Sequence, residues 1–127
     1  MRFMMLVIPK NYAMAAPGTL PDPKLVEKMM AFNNELTKSG VLLAFDGLHP
    51  PSMGSRVRFG SDGPVASDGP FAEAKEVVGG YWLIQVKSKE EAEAWALRAP
   101  MLDGDIIEIR RIQEMADFTP EIQQLIK

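Results

Sequence analysis

The sequence predicts an α+β fold of the ferredoxin-like, split βαβ type, with a small β-hairpin inserted in its middle. Three observations predict it: four apolar runs suited to core strands, two capped segments with helical spacing, and a turn-rich stretch between the second and third runs. The order is strand, helix, strand, hairpin, strand, helix, strand. The length of 127 residues and the 46% hydrophobic content fit a single domain, residues 1–127, with an apolar core.

The first forty residues predict one strand and one long helix. Residues 3–8 are an unbroken apolar run closed by Pro9, which suits a strand buried on both faces. Asp22-Pro23 is typical of a helix start, with a carboxylate N-cap before proline at the first helical position, and Gly40 supplies the stop. One face of this helix carries Leu25, Met29, Phe32 and Leu36, with Val26 and Met30 beside them.

The middle of the chain predicts a strand and a hairpin. Residues 41–45 form a second apolar strand, and the tandem prolines within 47–51 end regular structure because they remove ladder donors. Residues 56–59 alternate polar and apolar, as a half-exposed strand does. The tetrapeptide Ser-Asp-Gly-Pro occurs at 61–64 and again at 67–70. The first copy is typical of a hairpin turn.

The last third predicts a strand, a helix, a strand and a tail. Residues 81–86 form a third core strand, and Ser88 with Glu91 matches a capping box at the start of a helix that ends at Pro100. A final strand covers 106–112. The tail, residues 113–127, carries a short helix opened by Thr119-Pro120.

Two helices can cover only one face of a four-stranded sheet, yet the first and third strands are apolar at nearly every position. We therefore expect a second copy of the chain to cover the helix-free sheet face in a symmetric homodimer.

Composition excludes several function classes. The net charge is −3 with interspersed signs, so we expect no direct nucleic-acid binding. The absence of cysteine excludes disulfides, thiolate nucleophiles and Cys-ligated metals. The apolar start is too short for a membrane span and lacks a cleavage pattern, so a cytoplasmic protein is expected. No phosphate-binding loop, nucleophile elbow or H-E-x-x-H motif is present.

His49, the only histidine, is the main candidate for proton transfer. With an ordinary pKa of about 6.5, it suits a general acid or base beside Asp46 at the end of a strand. The alternative is a polar loop residue packed between Leu48 and two prolines. One histidine and scattered carboxylates fall short of a metal set, so we expect no metal and no cofactor.

The second tetrapeptide opens a longer motif. Asp68-Gly69-Pro70-Phe71 is followed by A-E-A-K-E-V-V-G-G-Y up to Tyr81, which resembles the D-G-P-F-x-E-x-K-E signature of the DGPF branch of YCII-related proteins. The opening strand, the G-L-x-P-P step at 47–51 and the helix around Trp95 sit where that family has them. The resemblance covers residues 2–112 and implies a dimeric α+β-barrel fold.

The motif supplies the candidate ligand-binding residues, which are Asp68, Phe71, Glu73, Lys75, Glu76 and Tyr81. They could line a pocket at the dimer seam. They also have structural alternatives: Asp68 could accept amide hydrogen bonds within its turn, Phe71 could plug the core, and the charges could pair at the surface for less than about 1 kcal/mol.

The resemblance implies little about activity. Distant YCII relatives include dehalogenating lyases that use a histidine in the first helix and an aspartate before the proline ending the second. The matching positions here are Met29 and Ala99, and neither can move a proton. Two hypotheses remain. One is a ligand-binding or accessory homodimer, as in a sigma-factor circuit. The other is a cofactor-independent lyase, isomerase or dehydrohalogenase-like enzyme using His49 and nearby carboxylates.

Overall fold

The computed structural model describes residues 1–127 as six strands and three helices. The strands are β1 (Arg2–Ile8), β2 (Leu42–Gly47), β3 (Ser55–Gly60), β4 (Gly63–Asp68), β5 (Gly80–Gln85) and β6 (Ile106–Arg111). The helices are α1 (Pro23–Lys38), α2 (Lys89–Ala96) and α3 (Pro120–Ile126), and 3-10 turns span Pro51–Met53 and Met115–Asp117. The α+β class is confirmed. An antiparallel sheet has the order β2-β5-β1-β6, as in ferredoxin-like folds, and β3 and β4 form a separate hairpin.

Local capping signals set where the helices begin. Asp22 Oδ1 accepts a hydrogen bond from the backbone amide of Lys24 at 2.7 Å, so the predicted N-cap of α1 is present. Gly40, just past α1, has a φ of +74°, a left-handed conformation that glycine adopts without a steric penalty. At α2, the Glu91 amide donates to Ser88 Oγ at 3.1 Å, which is one half of the predicted capping box.

The other half of that box and the end of α2 differ from the sequence prediction. The Glu91 carboxylate accepts from the amide of Lys87, not from that of Ser88. α2 ends at Ala96 rather than at Pro100. The chain there tightens into turns in which the amides of Arg98 and Ala99 reach only three residues back, as from Ala99 to Ala96 at 3.1 Å.

The two faces of the sheet are covered to different degrees. Along β1, the side chains of Phe3, Met5 and Val7 are buried against residues of α1 and α2. The alternating side chains, Met4, Leu6 and Ile8, are only half-buried. The sequence predicts that β1 is buried on both faces. Within one chain, only the face covered by α1 and α2 is buried.

The core lies between the helices and β1, β5 and the end of β2. Trp82 and Phe32 meet edge to face with ring centroids 5.2 Å apart, and the ring of Trp95 in α2 lies 6.4 Å from that of Phe32. Met5, Leu36 and Ile84 complete its centre, where their side chains have no solvent exposure. Burial on this scale contributes roughly 1.5–3 kcal/mol for each large apolar side chain.

The two Ser-Asp-Gly-Pro copies have different roles. The first forms the hairpin turn, with Gly63 at a φ of +103° where β4 begins. The second ends β4 and brings Gly69 against the 3-10 turn, where an added Cβ would lie 1.8 Å from the carbonyl oxygen of Pro51. The Gly69 amide also donates to Gly54 O at 2.9 Å. The second glycine is therefore required by close backbone contact, whereas the first is required by its backbone conformation.

The tail leaves the sheet beside β1. Glu114 forms a two-point ion pair with Arg2, with atoms 2.9 and 3.1 Å apart. Beyond it, α3 presents Ile122, Leu125 and Ile126 to solvent, and Leu125 is 80% exposed. None of the three helices combines the length and the apolar character that a membrane crossing requires.

Candidate functional site

A cavity of about 870 Å³ lies between the first half of α1 and the sheet. Its floor is the end of β1, the end of β2 and the start of β5, and its rim includes the loop after β1. Apolar side chains form most of its wall: Val7, Leu25, Val26, Met29, Met30, Phe45 and Trp82. A mostly apolar cavity of this volume, with a few polar groups, is typical of a small-molecule site.

The cavity exists because only the second half of α1 packs closely on the sheet. On the predicted apolar face, Phe32 and Leu36 are buried but Leu25 and Met29 are only half-buried. Beside that face, Val26 is 38% and Met30 is 47% exposed. The Gly79-Gly80 pair shapes the opposite wall. A Cβ on Gly79 would lie 2.5 Å from the Pro9 ring, and one on Gly80 would lie 2.9 Å from the backbone oxygen of Asp46.

Asn33 is the buried polar group of this site, and the sequence analysis missed it. It lines the cavity, is 5% exposed, and accepts a hydrogen bond from Trp82 Nε1 at 2.6 Å. Its amide nitrogen, Nδ2, lies 3.6 Å from Met30 Sδ. A signal was present in the sequence, because Asn33 follows Val26 by seven residues and Met29 by four, which places a polar side chain within the apolar stripe.

Tyr12 lies in the loop after β1 and lines the cavity. Its hydroxyl donates to the backbone oxygen of Leu48 at 2.6 Å. Burial raises the pKa of Tyr12, because the phenolate is less well solvated than the phenol there. Tyr12 is therefore a neutral, structural phenol that ties two loops together.

Asp46 and Tyr81 form a pair at the edge of the cavity. They face each other in the β2–β5 register, and Tyr81 donates its hydroxyl proton to Asp46 Oδ2 at 2.8 Å. This hydrogen bond is the main cause of a raised pKa for Tyr81, since removing the proton would place two anions together. Tyr81 alternates with Trp82, so the pair sits where the cavity meets the other face of the sheet.

His49 lies at the cavity but is not connected to Asp46. It is exposed, lines the cavity, and its imidazole makes no hydrogen bond to another residue of the chain. Asp46 is hydrogen-bonded instead to Tyr81, through Oδ2. The structure thus brings His49, Asp46 and Tyr81 to one site without the His–Asp contact that a proton-transfer pair requires.

The other candidate residues, those between Asp68 and Glu76, do not line the cavity. Phe71 does not plug the core: it is half-buried beneath the guanidinium of Arg56, 4.0 Å from its ring centroid. Glu73 lies 3.9 Å from Arg58, with both side chains mostly exposed. Asp68, Lys75 and Glu76 are exposed and make no side-chain hydrogen bond or ion pair within the chain. The segment thus contacts the hairpin through Phe71 and Glu73, close to the point where Gly69 lies against the 3-10 turn.

The positions matching the relatives' catalytic pair lie in different cavities. Met29 lines the large cavity, whereas Ala99 lines a smaller one of about 440 Å³ between α2 and β6. No three His, Asp or Glu side chains lie together in a way that could hold a metal ion. The chemistry that the large cavity offers is therefore an apolar surface, one buried amide, two neutral phenols and a rim of charged groups.

Comparison with known proteins assigns the fold to a family. The family model described as "YCII-related domain" matches residues 1–116, which include the whole sheet, α1, α2 and every cavity residue. No curated protein matches the chain. The tail helix α3 lies outside the matched range. The chain belongs to the YCII-related family.

Proposed function

We propose that this protein is a cytoplasmic, small-ligand-binding homodimer of the DGPF branch of YCII-related proteins. The observation that carries the proposal is the cavity beneath α1, with its volume of about 870 Å³ and its largely apolar wall. An apolar wall favours an organic ligand, because each buried apolar surface element contributes to binding at little cost in polar desolvation. The accessory role in a sigma-factor circuit rests on the resemblance of the 68–81 motif to that branch.

The hydrogen-bond partners of the polar groups favour ligand binding over proton-transfer catalysis as the function of the cavity. Asp46 is engaged by Tyr81, His49 has no partner that would orient it, and Met29 occupies the position at which catalytic relatives carry a histidine. The enzyme alternative is supported by one observation, the presence of His49 at the same cavity. The enzyme alternative requires a ligand that places an acidic proton near His49.

The dimer is supported by the helix-free face of the sheet. Met4, Leu6 and Leu83 alternate onto that face and are half-buried, and Ile106 opposite Ile8 is 43% exposed. Glu108 and Arg110 lie opposite Leu6 and Met4 on the same face, so it combines apolar side chains with charged neighbours, a pattern that suits a self-complementary interface. Since the Asp46–Tyr81 pair lies at the border of that face, a second copy would also border the cavity.

Native mass spectrometry of the full chain tests the proposal. We expect a dimer that carries a small organic molecule through gentle purification or takes one up from a metabolite extract. Val26→Phe, which adds a ring to the cavity wall, should reduce uptake at least tenfold. Ala31→Phe is the matched control, because Ala31 is an exposed α1 residue outside the cavity, and it should bind as the wild type does.

Three outcomes would contradict the proposal. A stable monomer at micromolar concentration would exclude the homodimer. Equal uptake by wild type and Val26→Phe would place binding elsewhere. Conversion of the bound molecule to a new mass, abolished by His49→Gln, would establish the enzyme alternative.

A further inference from the structure

The orientation of the Asn33 amide is set by its neighbour. The indole of Trp82 has only a donor, so the atom that accepts from Trp82 Nε1 at 2.6 Å must be the Asn33 oxygen. Flipping the amide would place two donors against each other. The group that Asn33 offers to the cavity is therefore its nitrogen, Nδ2.

The nitrogen is poorly satisfied by the chain itself. Nδ2 carries two N–H donors, and its one partner is Met30 Sδ at 3.6 Å, a weak acceptor. The second N–H has no acceptor within the chain, although Asn33 is only 5% exposed. A buried donor without a good acceptor is unfavourable, so the cavity floor lacks an oxygen acceptor.

The surroundings of Asn33 favour an uncharged acceptor. Met29, Met30 and Trp82 are its neighbours at the cavity, and none carries a charge. Two lysines of α1, Lys24 and Lys28, also line the cavity, but they precede Asn33 by nine and five residues, which is about 180° and 140° around the helix axis from it. A carboxylate at this depth would lose its hydration and gain one neutral donor, which is a net cost.

The charged side chains around the cavity do not offset the free-energy cost of burying an anion in it. Three carboxylates line the cavity, Asp22, Asp46 and Asp105, and so do three lysines, Lys10, Lys24 and Lys28. Each carboxylate accepts a hydrogen bond from the chain, and the acidic and basic side chains are equal in number, so the lining has no excess of positive charge to attract an anionic group.

We propose that the ligand of this cavity is an uncharged carbonyl compound with an apolar body, such as a ketone, aldehyde or ester, whose oxygen accepts a hydrogen bond from Asn33 Nδ2. This inference rests on the proposed ligand-binding function. It goes further by assigning the chemical class of the ligand and the atom that recognises it.

Four probes of one shape test the inference: toluene, acetophenone, benzoate and benzylamine, titrated into ¹⁵N-labelled full-length protein. We expect all shifts to centre on the cavity and acetophenone to bind most tightly, with the largest shifts at the Asn33 side-chain amide and the Trp82 indole. Benzoate and benzylamine should bind at least tenfold more weakly than acetophenone. The carboxylate of benzoate would find no cation at the cavity floor, and the ammonium of benzylamine would place a donor against the Asn33 donor.

Asn33→Asp is the decisive variant, because it keeps an oxygen for the Trp82 indole and replaces the nitrogen with oxygen. Acetophenone affinity should fall about tenfold, and toluene affinity should stay within about twofold. Asn34→Asp is the matched control: it makes the same change at an exposed residue outside the cavity and should leave all four affinities unchanged.

The outcomes separate the two proposals. If no probe, toluene included, moves a cavity resonance at its solubility limit, the ligand-binding function and the inference both fail. If toluene binds but acetophenone binds no more tightly, or if Asn33→Asp leaves acetophenone affinity unchanged, the inference fails while the binding function stands. A variant with a lost or altered wild-type spectrum is replaced by Asn33→Ser, for which the same loss of acetophenone affinity is expected.

Discussion

The two halves of α1 carry one continuous apolar stripe but contact different surroundings. In the second half, Phe32 and Leu36 are buried against the sheet and the rings of Trp82 and Trp95. In the first half, Val26 and Met30 remain more than a third exposed and form the roof of the cavity. Hydrophobic periodicity thus identifies the face of a helix that avoids water. It does not reveal whether that face meets protein or an open space.

Asn33 lies at the boundary between the halves. It occupies a stripe position where an apolar residue would extend the core, yet it is buried with a hydrogen bond to Trp82. A buried amide at such a point costs free energy unless it is satisfied, so its presence marks the end of the close-packed apolar core.

The largest difference between the halves should appear in stability. Leu36→Ala removes a side chain with no solvent exposure and should lower the free energy of unfolding by about 2–5 kcal/mol, through lost burial and a new internal void. Met29→Ala, on the same stripe but at the cavity, should lower it by less than about 1 kcal/mol, because the side chain is half-buried and borders existing space.

Urea denaturation followed by far-UV circular dichroism measures both free energies. The second mutation serves as the control for the first, since both shorten an apolar side chain of α1. Equal losses for Leu36→Ala and Met29→Ala would mean that the first half of α1 packs as tightly as the second. The cavity would then not exist in solution.

The sequence predicts most of the fold because the signals that begin and end its elements are local. Asp22 caps α1, Gly40 ends it, and Ser88 caps α2, all within a few residues of the structure they determine. It places His49 and Asp46 at one site for the same reason, since Asp46 lies near the end of β2 and His49 follows that strand closely. The predicted end of α2 at Pro100 is wrong, because tight turns replace the helix after Ala96.

The parts that sequence could not predict depend on pairs distant along the chain. Asn33 and Trp82 are 49 residues apart, and Asp46 meets Tyr81 across 35 residues through the β2–β5 register. Gly69 contacts Pro51 through backbone atoms, so the motif 68–76 is drawn to the hairpin and away from the cavity. No periodicity or composition encodes such contacts.

An intermediate effect is expected from the hydrogen bond at the boundary. Trp82→Phe keeps a ring beside Phe32 but removes the indole donor to Asn33, leaving the buried Oδ1 without its partner. Trp95→Phe is the matched control, because Trp95 also packs on Phe32 and its indole donates to no group of the chain. The unfolding free energy should fall by about 1–2 kcal/mol more for Trp82→Phe than for Trp95→Phe. Thermal and urea denaturation of both variants measure this difference. Equal losses would show that the Asn33–Trp82 contact contributes only packing.

The smallest effect should come from the sulfur beside Asn33. Met30→Leu keeps an apolar side chain of similar volume but removes the weak acceptor 3.6 Å from Asn33 Nδ2. Because Met30 is 47% exposed, the free energy of unfolding should change by less than about 0.5 kcal/mol. The Asn33 side-chain amide signals in a ¹⁵N spectrum should move nonetheless, since the sulfur no longer accepts from them. Met29→Leu makes the same change one residue earlier, where no hydrogen bond to Asn33 exists, and should leave those signals in place. Equal shifts from both variants would mean that the sulfur does not hold the amide, and the Asn33 nitrogen would then be wholly free for a ligand oxygen.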